Sequence, residues 1–194
     1  ALPGWWKRDA YNRSQILYRL AEMTESRTAE LADAIRAVPD LETGRAPTAA
    51  QARKEIACAV DRIVSFAGWC DKFPQVVGSR NPVNGPYHNF TMPEPTGVCG
   101  VIAPNQPTFL GLITHLAPIL AGGNVSIALA SETNPLPAMV FAEICATSDV
   151  PGGVVNILTG YRHEMIPEFA DHRDIDAIGG AAETAEERRL LELG

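Results

Sequence analysis

Four short runs of apolar residues organise the second half of the chain. They are Val98–Ala103, Val125–Leu129, Val154–Leu158 and Ile175–Ile178. Runs without alternating polar positions are typical of strands that a parallel sheet buries on both faces. Stretches with helical spacing separate them near residues 109–121, 136–147 and 162–171, and another begins at about Glu183. The alternation predicts an α/β fold, in which right-handed crossovers place helices on both faces of a parallel sheet.

The first half of the chain has the spacing of long amphipathic helices instead. Asp9 is a candidate N-cap for a first helix and Thr48 for a second, because short oxygen-bearing side chains accept the free N–H groups of a first turn. Pro39 and Gly44 interrupt the helical pattern between them. The apolar positions predicted to face inward are Ile16, Leu17, Leu20, Met23, Leu31 and Ile35, followed by Ile56, Val60, Ile63, Val64 and Ala67.

Residues 74–97 separate the helical half from the strand-rich half. This segment is rich in Pro, Gly and Asn, and its one strand-like piece is Tyr87–Met92. Composition alone favours a surface loop that links two parts of the chain. An extended segment outside the main core also leaves strand edges free, and free edges pair with other chains. Both interpretations stay open from composition.

The charge of the chain argues against two classes of partner. Among 194 residues the formal net charge is −7 and the pI is about 5.1, whereas nucleic acid and anionic membranes attract proteins rich in Lys and Arg. No apolar run approaches the ~20 residues that a membrane helix needs. The sequence begins Ala-Leu-Pro, without the basic and apolar segments of a secretory signal. We therefore expect neither a nucleic-acid partner nor a membrane partner.

The cysteines and histidines indicate no metal site. Cys58, Cys70, Cys99 and Cys145 form no CxxC pair, and none of the four histidines is spaced with Cys or carboxylates as a metal ligand would be. Isolated cysteines in apolar patterns are typical of small buried thiols and of a reducing compartment. We expect buried thiols, no metal and a cytoplasmic location.

Three segments carry a resemblance to a known family. They are Pro93–Pro104, Ala117–Asn124 and Pro151–Gly160, in which Gly and Pro mark the turns between strands and helices. Together they resemble the nucleotide-binding part of the aldehyde dehydrogenase superfamily. The resemblance implies a Rossmann-like domain over residues 98–194, a helical segment over 1–73 that packs on it, and a linker with a β-hairpin oligomerisation arm over 74–97. It covers only the first part of the family's fold.

The resemblance also implies which catalytic groups to look for. Family enzymes use a Cys nucleophile, a general-base Glu and an Asn that donates a hydrogen bond to the developing oxyanion. The nucleophile and the base lie beyond the part of the fold that the chain covers, so no catalytic residue is assigned. Gln106 falls at the position of the oxyanion Asn, where its extra methylene displaces the donor. Cys99 lies in an apolar run, which disfavours a thiolate.

The positions that hold NAD in the family are only partly retained. Leu129 replaces a Lys that reaches the ribose, Ile166 replaces a glycine of the phosphate-binding turn, and Glu183 replaces a Ser that approaches phosphate. Arg162 replaces another glycine and is interpreted as a surface ion-pair partner of neighbouring glutamates. We expect no bound cofactor. The remnant cofactor-binding positions are Ala103, Pro104, Gln106, Glu132 and Gly160.

Three functions remain open. The leading one is an aldehyde-dehydrogenase-like protein that has lost NAD binding and catalysis and acts as a structural or assembly subunit of an oxidoreductase complex. One alternative is part of an active NAD(P)-dependent aldehyde dehydrogenase whose catalytic Cys and Glu lie elsewhere. The other is a binder of another small ligand in the nucleotide crevice.

The leading function implies a protein partner. Another subunit, either an active aldehyde dehydrogenase or a second copy of the chain, would contact residues 80–97. The same partner would bury Leu110, Leu112 or Leu190. Stable interfaces bury about 1,200–2,000 Å² in total, so we expect this contact to be extensive.

Overall fold

The computed structural model describes residues 1–40 and 43–193. Its helices and strands follow the predicted order. The N-terminal part contains α1 (Leu2–Trp6), α2 (Ala10–Ser26), α3 (Thr28–Arg36), α4 (Ala49–Ala67), α5 (Phe73–Val77), β1 (Ser79–Arg80) and β2 (Phe90–Thr91). The remainder contains β3 (Val98–Ile102), α6 (Thr108–Ala121), β4 (Val125–Leu129), α7 (Leu136–Thr147), β5 (Val155–Leu158), α8 (Arg162–Asp171), β6 (Ala177–Gly180) and α9 (Ala185–Leu193).

The four apolar runs form one parallel sheet with the strand order β5-β4-β3-β6. Ile102 on β3 lies opposite Leu129 on one side and Gly180 on the other. The chain moves outward from β3 to β5 and then returns to the far side of β3, so the direction of strand addition reverses between β3 and β6. The predicted α/β, Rossmann-like fold is confirmed.

The fourth strand begins two residues later than predicted. Ile175 precedes β6 in a turn, where its N–H bonds to the carbonyl of His172. Its side chain still packs among apolar neighbours. Asp176 then joins the sheet through its backbone N–H and its carboxylate, both bonded to Val98. The apolar pattern therefore starts in the turn, ahead of the strand.

Apolar side chains cover both faces of the sheet, because alternate residues of a strand point to opposite sides. On β3 and the residue after it, Val101 and Ala103 belong to a large cluster shared with the helices of the first half of the chain. Ile102 belongs to a smaller cluster with Leu129 and residues of α8. Three layers result, with α6 and α7 on one face and α8 and α9 on the other.

The helix caps follow the sequence prediction. The Asp9 carboxylate accepts the N–H of Asn12 at 2.7 Å, and Thr48 forms a reciprocal capping box with Gln51 at the start of α4. One inward assignment on α4 is wrong, because Val64 is 39% exposed. The apolar stripe of α4 is narrower than predicted, since its buried residues are Ala52, Ile56, Ala59, Ile63 and Ala67.

Buried polar contacts join the N-terminal helices to the sheet layer. Trp5 donates its indole N–H to the carbonyl of Leu120, and Arg13 donates Nε–H to that of Ala121, both at the end of α6. The Asn134 amide donates to the carbonyls of Ala34 and Ile35 at the end of α3. Carbonyls in the last turns of α6 and α3 thereby gain further hydrogen-bond donors. One apolar cluster spans both regions, from Trp5 to Val154.

The segment 74–97 contains a short hairpin on the surface. Within the predicted strand Tyr87–Met92, only Phe90 and Thr91 form β2, which pairs antiparallel with β1. Tyr87, Phe90 and Met92 are 70%, 57% and 68% exposed. The division of the chain into three parts at residues 73 and 97 stays a prediction.

Two residues differ in burial from what was expected, while contact of a partner with Leu110 or Leu190 stays a prediction. Leu112 is fully buried inside the chain, on the face of α6 that packs in the large cluster, so it has no surface to offer a partner. Cys58 is exposed on α4, whereas Cys70, Cys99 and Cys145 are buried as expected. Among the described residues, every helix is too short or too polar to cross a membrane.

Candidate functional site: the crevice between β3 and β6

The carboxyl ends of β3 and β6 flank the point where strand order reverses. In open α/β sheets, ligands bind in the crevice outside the strand ends at such a switch point, because the loops on either side diverge there. Four connections meet at this edge: residues 103–107 after β3, 130–134 after β4, 159–161 after β5 and 181–184 after β6. They contain all of the predicted remnant positions, from Ala103 to Gly160.

The side chain of Arg162 lies in this crevice. Its side chain is only 4% exposed, and it donates from Nη1 to the carbonyl of Ala103 at 2.7 Å and from Nη2 to that of Ala181 at 2.6 Å. These two carbonyls follow β3 and β6 directly. The guanidinium also forms a bidentate pair with Glu187 of α9, at 3.0 and 2.9 Å. The interpretation of Arg162 as a surface residue paired with its neighbours is therefore wrong.

Asn105, in the loop after β3, forms hydrogen bonds with the loops after β4 and β6. It donates its backbone N–H and its side-chain amide to the two carboxylate oxygens of Glu183, each at 2.7 Å. Its side-chain oxygen accepts the N–H of Glu132 at 2.9 Å. The Glu132 carboxylate in turn accepts the backbone N–H of Arg162 at 2.7 Å. Glu132 and Glu183 thus bind the protein's own backbone, a role that the sequence analysis missed.

The electrostatics of the crevice are dominated by carboxylates. Three of them, on Glu132, Glu183 and Glu187, surround the single guanidinium of Arg162. The hydrogen bond from Arg162 lowers the pKa of Glu187 below its ordinary value. Burial acts to lower the pKa of Arg162, but its bonds and charge interactions with Glu187 outweigh this effect and raise that pKa. The pair is ionised at neutral pH, and the crevice carries excess negative charge.

Two glycines near the crevice have different reasons to be glycine. A Cβ on Gly160 would come within 3.0 Å of Met165 Cγ, so this glycine makes room for a side chain of α8. Gly180 has φ +151° and lies against the backbone of Ile102, where any Cβ would collide with the Ile102 carbonyl. Ile166, which stands at a glycine position of the family's phosphate-binding turn, is buried with Leu129 in the smaller cluster. Arg162, not Ile166, lies between the ends of β3 and β6.

Gln106 lines a cavity that Arg162 does not line. It is exposed and lines a cavity of about 600 Å³ together with residues of the α3–α4 connection and of α4, including Arg45, Gln51 and Glu55. The Glu55 carboxylate accepts the N–H groups of Phe109 and Leu110 at 2.8 and 3.1 Å, which caps α6. Gln106 is thus the remnant position that lines this cavity, and Ala103, Pro104, Glu132 and Gly160 do not line it.

The buried cysteines lack the surroundings of a nucleophile. Burial raises the pKa of Cys70 to about 11 and that of Cys145 to about 12, and it also raises the pKa of Cys99. Thiolates become reactive where positive neighbours lower the pKa, which is the opposite situation. The described residues contain no group of three or more His, Cys, Asp or Glu side chains arranged to hold a metal ion.

Comparison with known proteins identifies relatives along the whole chain. A family model described as "Aldehyde dehydrogenase family" matches residues 1–192. The chain is 34% identical over 184 residues to cytosolic 10-formyltetrahydrofolate dehydrogenase of Xenopus tropicalis, covering 93% of the chain and 20% of that protein. It is 33% identical over 180 residues to mitochondrial aldehyde dehydrogenase of Sus scrofa, covering 93% of the chain and 33% of that protein.

The fold also matches solved structures. The crystal structure of PnpE in complex with nicotinamide adenine dinucleotide has a TM-score of 0.86 and 29% sequence identity, with 100% of the chain and 38% of PnpE aligned. The chain therefore spans about a fifth to two-fifths of the relatives it matches.

Proposed function

The chain belongs to the aldehyde dehydrogenase family, and we propose that it corresponds to the family's nucleotide-binding region with its crevice held closed. In this proposal the chain has lost NAD binding and catalysis and acts as a structural or assembly subunit of an oxidoreductase complex. The carrying observation is the position of Arg162, whose guanidinium occupies the switch point with four hydrogen bonds.

Charge and space both support weak nucleotide binding. Arg162 bridges the carbonyls of Ala103 and Ala181, so its guanidinium lies between the two strand ends. A dinucleotide would have to displace these contacts and would bring its phosphates toward the carboxylates of Glu132, Glu183 and Glu187. Like charges in a site of low dielectric repel strongly.

Calorimetric titration with NAD and NADP tests the loss of cofactor binding. We expect a dissociation constant weaker than about 1 mM, which corresponds to less than about 4 kcal/mol of binding free energy. An active family enzyme titrated in the same buffer provides the positive control. A micromolar dissociation constant for the 194-residue chain would contradict the proposal.

The hairpin of residues 79–91 supports the assembly role. Val76, Val77, Tyr87, Phe90 and Met92 lie on and beside it, and each is more than half exposed. Large exposed apolar patches on a protein surface mark interaction sites. We propose that this arm contacts another protein subunit, either an active aldehyde dehydrogenase or a second copy of the chain. All four cysteines are free thiols, which fits the cytoplasmic location included in the proposal.

Light scattering coupled to size exclusion tests the assembly role. We expect the chain to elute as a complex, and a variant with Tyr87→Ser, Phe90→Ser and Met92→Ser to elute as a smaller species with an unchanged melting temperature. Tyr11→Ser is the matched control, because Tyr11 is 71% exposed and lies outside the arm. A wild-type chain that is a monodisperse monomer at micromolar concentration would argue against the arm as an interface.

A second candidate is part of an active NAD(P)-dependent aldehyde dehydrogenase. Family membership favours it, as does the structural match to PnpE, which was solved with nicotinamide adenine dinucleotide. Its catalytic Cys and Glu would lie outside these 194 residues. The same titration separates the two candidates, because saturable binding of NAD or NADP at micromolar concentration favours the enzyme.

A further inference from the structure

Arg162 binds Glu187 in the same way as an arginine binds the phosphate or carboxylate of a ligand. A guanidinium binds carboxylates and phosphates through the same two-pronged geometry. Glu187 occupies that fork with both carboxylate oxygens, at 3.0 and 2.9 Å from Nε and Nη2. The guanidinium of Arg162, which could attract a phosphate at the switch point, is therefore already paired with the Glu187 carboxylate.

Glu187 is held in place by local bonds. Its carboxylate accepts the N–H of Glu183, and its own N–H donates to the hydroxyl of Thr184. The rest of α9 is attached through the half-buried side chains of Leu190 and Leu191, which pack in the smaller cluster. None of these contacts belongs to the β-sheet ladder, so Glu187 can leave Arg162 without opening the sheet.

We infer that the Arg162–Glu187 pair is an autoinhibitory contact. The Glu187 carboxylate of α9 occupies the position at which a phosphate of a nucleoside diphosphate would bind. This inference rests on the proposed function, since it explains why the crevice is closed. Removal of the Glu187 carboxylate frees two donors of Arg162 and removes one negative charge from the crevice. The freed guanidinium then binds phosphate at the carboxyl ends of β3 and β6.

The test compares variants of the two residues by calorimetric titration with ADP. We expect Glu187→Ala to bind ADP at least tenfold more tightly than the wild type, and Glu187→Gln to show a smaller gain in the same direction. Glu186→Ala is the matched control, because Glu186 is exposed on the same helix and its replacement removes the same charge. Adenosine, which lacks phosphate, should show no gain with any variant.

A double variant assigns the gain to Arg162. Glu187→Ala combined with Arg162→Leu should return ADP binding to the wild-type level, because the phosphate-binding fork is gone. Circular dichroism confirms that each variant is folded, and Glu187→Gln carries the test if Glu187→Ala does not fold, because Gln keeps the shape of Glu.

Three results overturn the inference. They are no gain in ADP binding for a folded Glu187 variant, an equal gain for Glu186→Ala, and an equal gain when Arg162 is also replaced. The proposed function fails on a different result, namely micromolar NAD binding by the wild-type chain. The two failures are therefore distinguishable.

Discussion

Replacement of Glu55 should destabilise the chain through α6. One oxygen of the Glu55 carboxylate accepts the N–H groups of Phe109 and Leu110 in the first turn of that helix, at 2.8 and 3.1 Å. The structure shows no side-chain cap from the residue before α6, which is Pro107. Phe109 is fully buried, so water cannot easily replace the lost acceptor at its N–H.

The size of the effect follows from three contributions. Loss of the cap at the N–H of Leu110 costs about 1 kcal/mol, the unsatisfied N–H of buried Phe109 about 1–3 kcal/mol, and loss of a negative charge at a helix N-terminus up to about 1 kcal/mol. We expect Glu55→Ala to lower the free energy of unfolding by about 3 kcal/mol. Glu55→Gln keeps an acceptor and loses only the charge, so its cost should be about 1 kcal/mol.

Thermal and urea unfolding followed by circular dichroism measure these differences. For a chain of this length each kcal/mol shifts the melting temperature by about 2–4 °C, so Glu55→Ala should melt about 6–12 °C below the wild type. Asp61→Ala is the control, because Asp61 is an exposed carboxylate on the same helix, α4. A Glu55→Ala melting temperature within 1–2 °C (roughly 0.5 kcal/mol) of the Asp61→Ala value would refute the capping role.

Three further predictions concern other contacts. Because Arg162 lowers the pKa of Glu187, their pair stabilises the fold above the ordinary pKa of Glu and is lost as pH falls through the lowered value; Glu187→Gln should flatten the acid limb of a stability–pH profile. Gly180→Ala should cost about 3 kcal/mol in urea unfolding because its Cβ meets the Ile102 carbonyl, whereas Gly179→Ala, with open space around it, should be near neutral. Iodoacetamide should label Cys58 first in the folded chain, and mass spectrometry after Cys58→Ser should show almost no fast labelling.

Each of these predictions has a contradicting outcome. Unchanged acid sensitivity in Glu187→Gln would remove the pair from the acid response. Equal stability of the Gly180 and Gly179 variants would mean that the strand end can move away from β3. Fast labelling of more than one thiol in the folded chain would mean that the buried cysteines become accessible to solvent.

The sequence determined most of the secondary structure, because helices and buried strands depend on local periodicity. Val125–Leu129 occurs as a strand with the predicted bounds, and the caps at Asp9 and Thr48 were recognisable from residue type alone. The fourth strand was displaced because Ile175 is apolar but packs from a turn. The pattern of apolar residues indicates which side chains are buried. Buried side chains also occur in the turns next to a strand, so the pattern does not define where the strand begins.

Only the tertiary structure decided the state of the crevice. The sequence places Arg162 near glutamates and favours a surface cation. In the structure its partners are Ala103, Ala181 and Glu187, which lie 59, 19 and 25 residues away along the chain. Two of these partners contribute backbone carbonyls, which every residue type has, so the sequence cannot show them. A buried charge is stable only where such partners converge, and their convergence depends on the parallel pairing of β3 with β6.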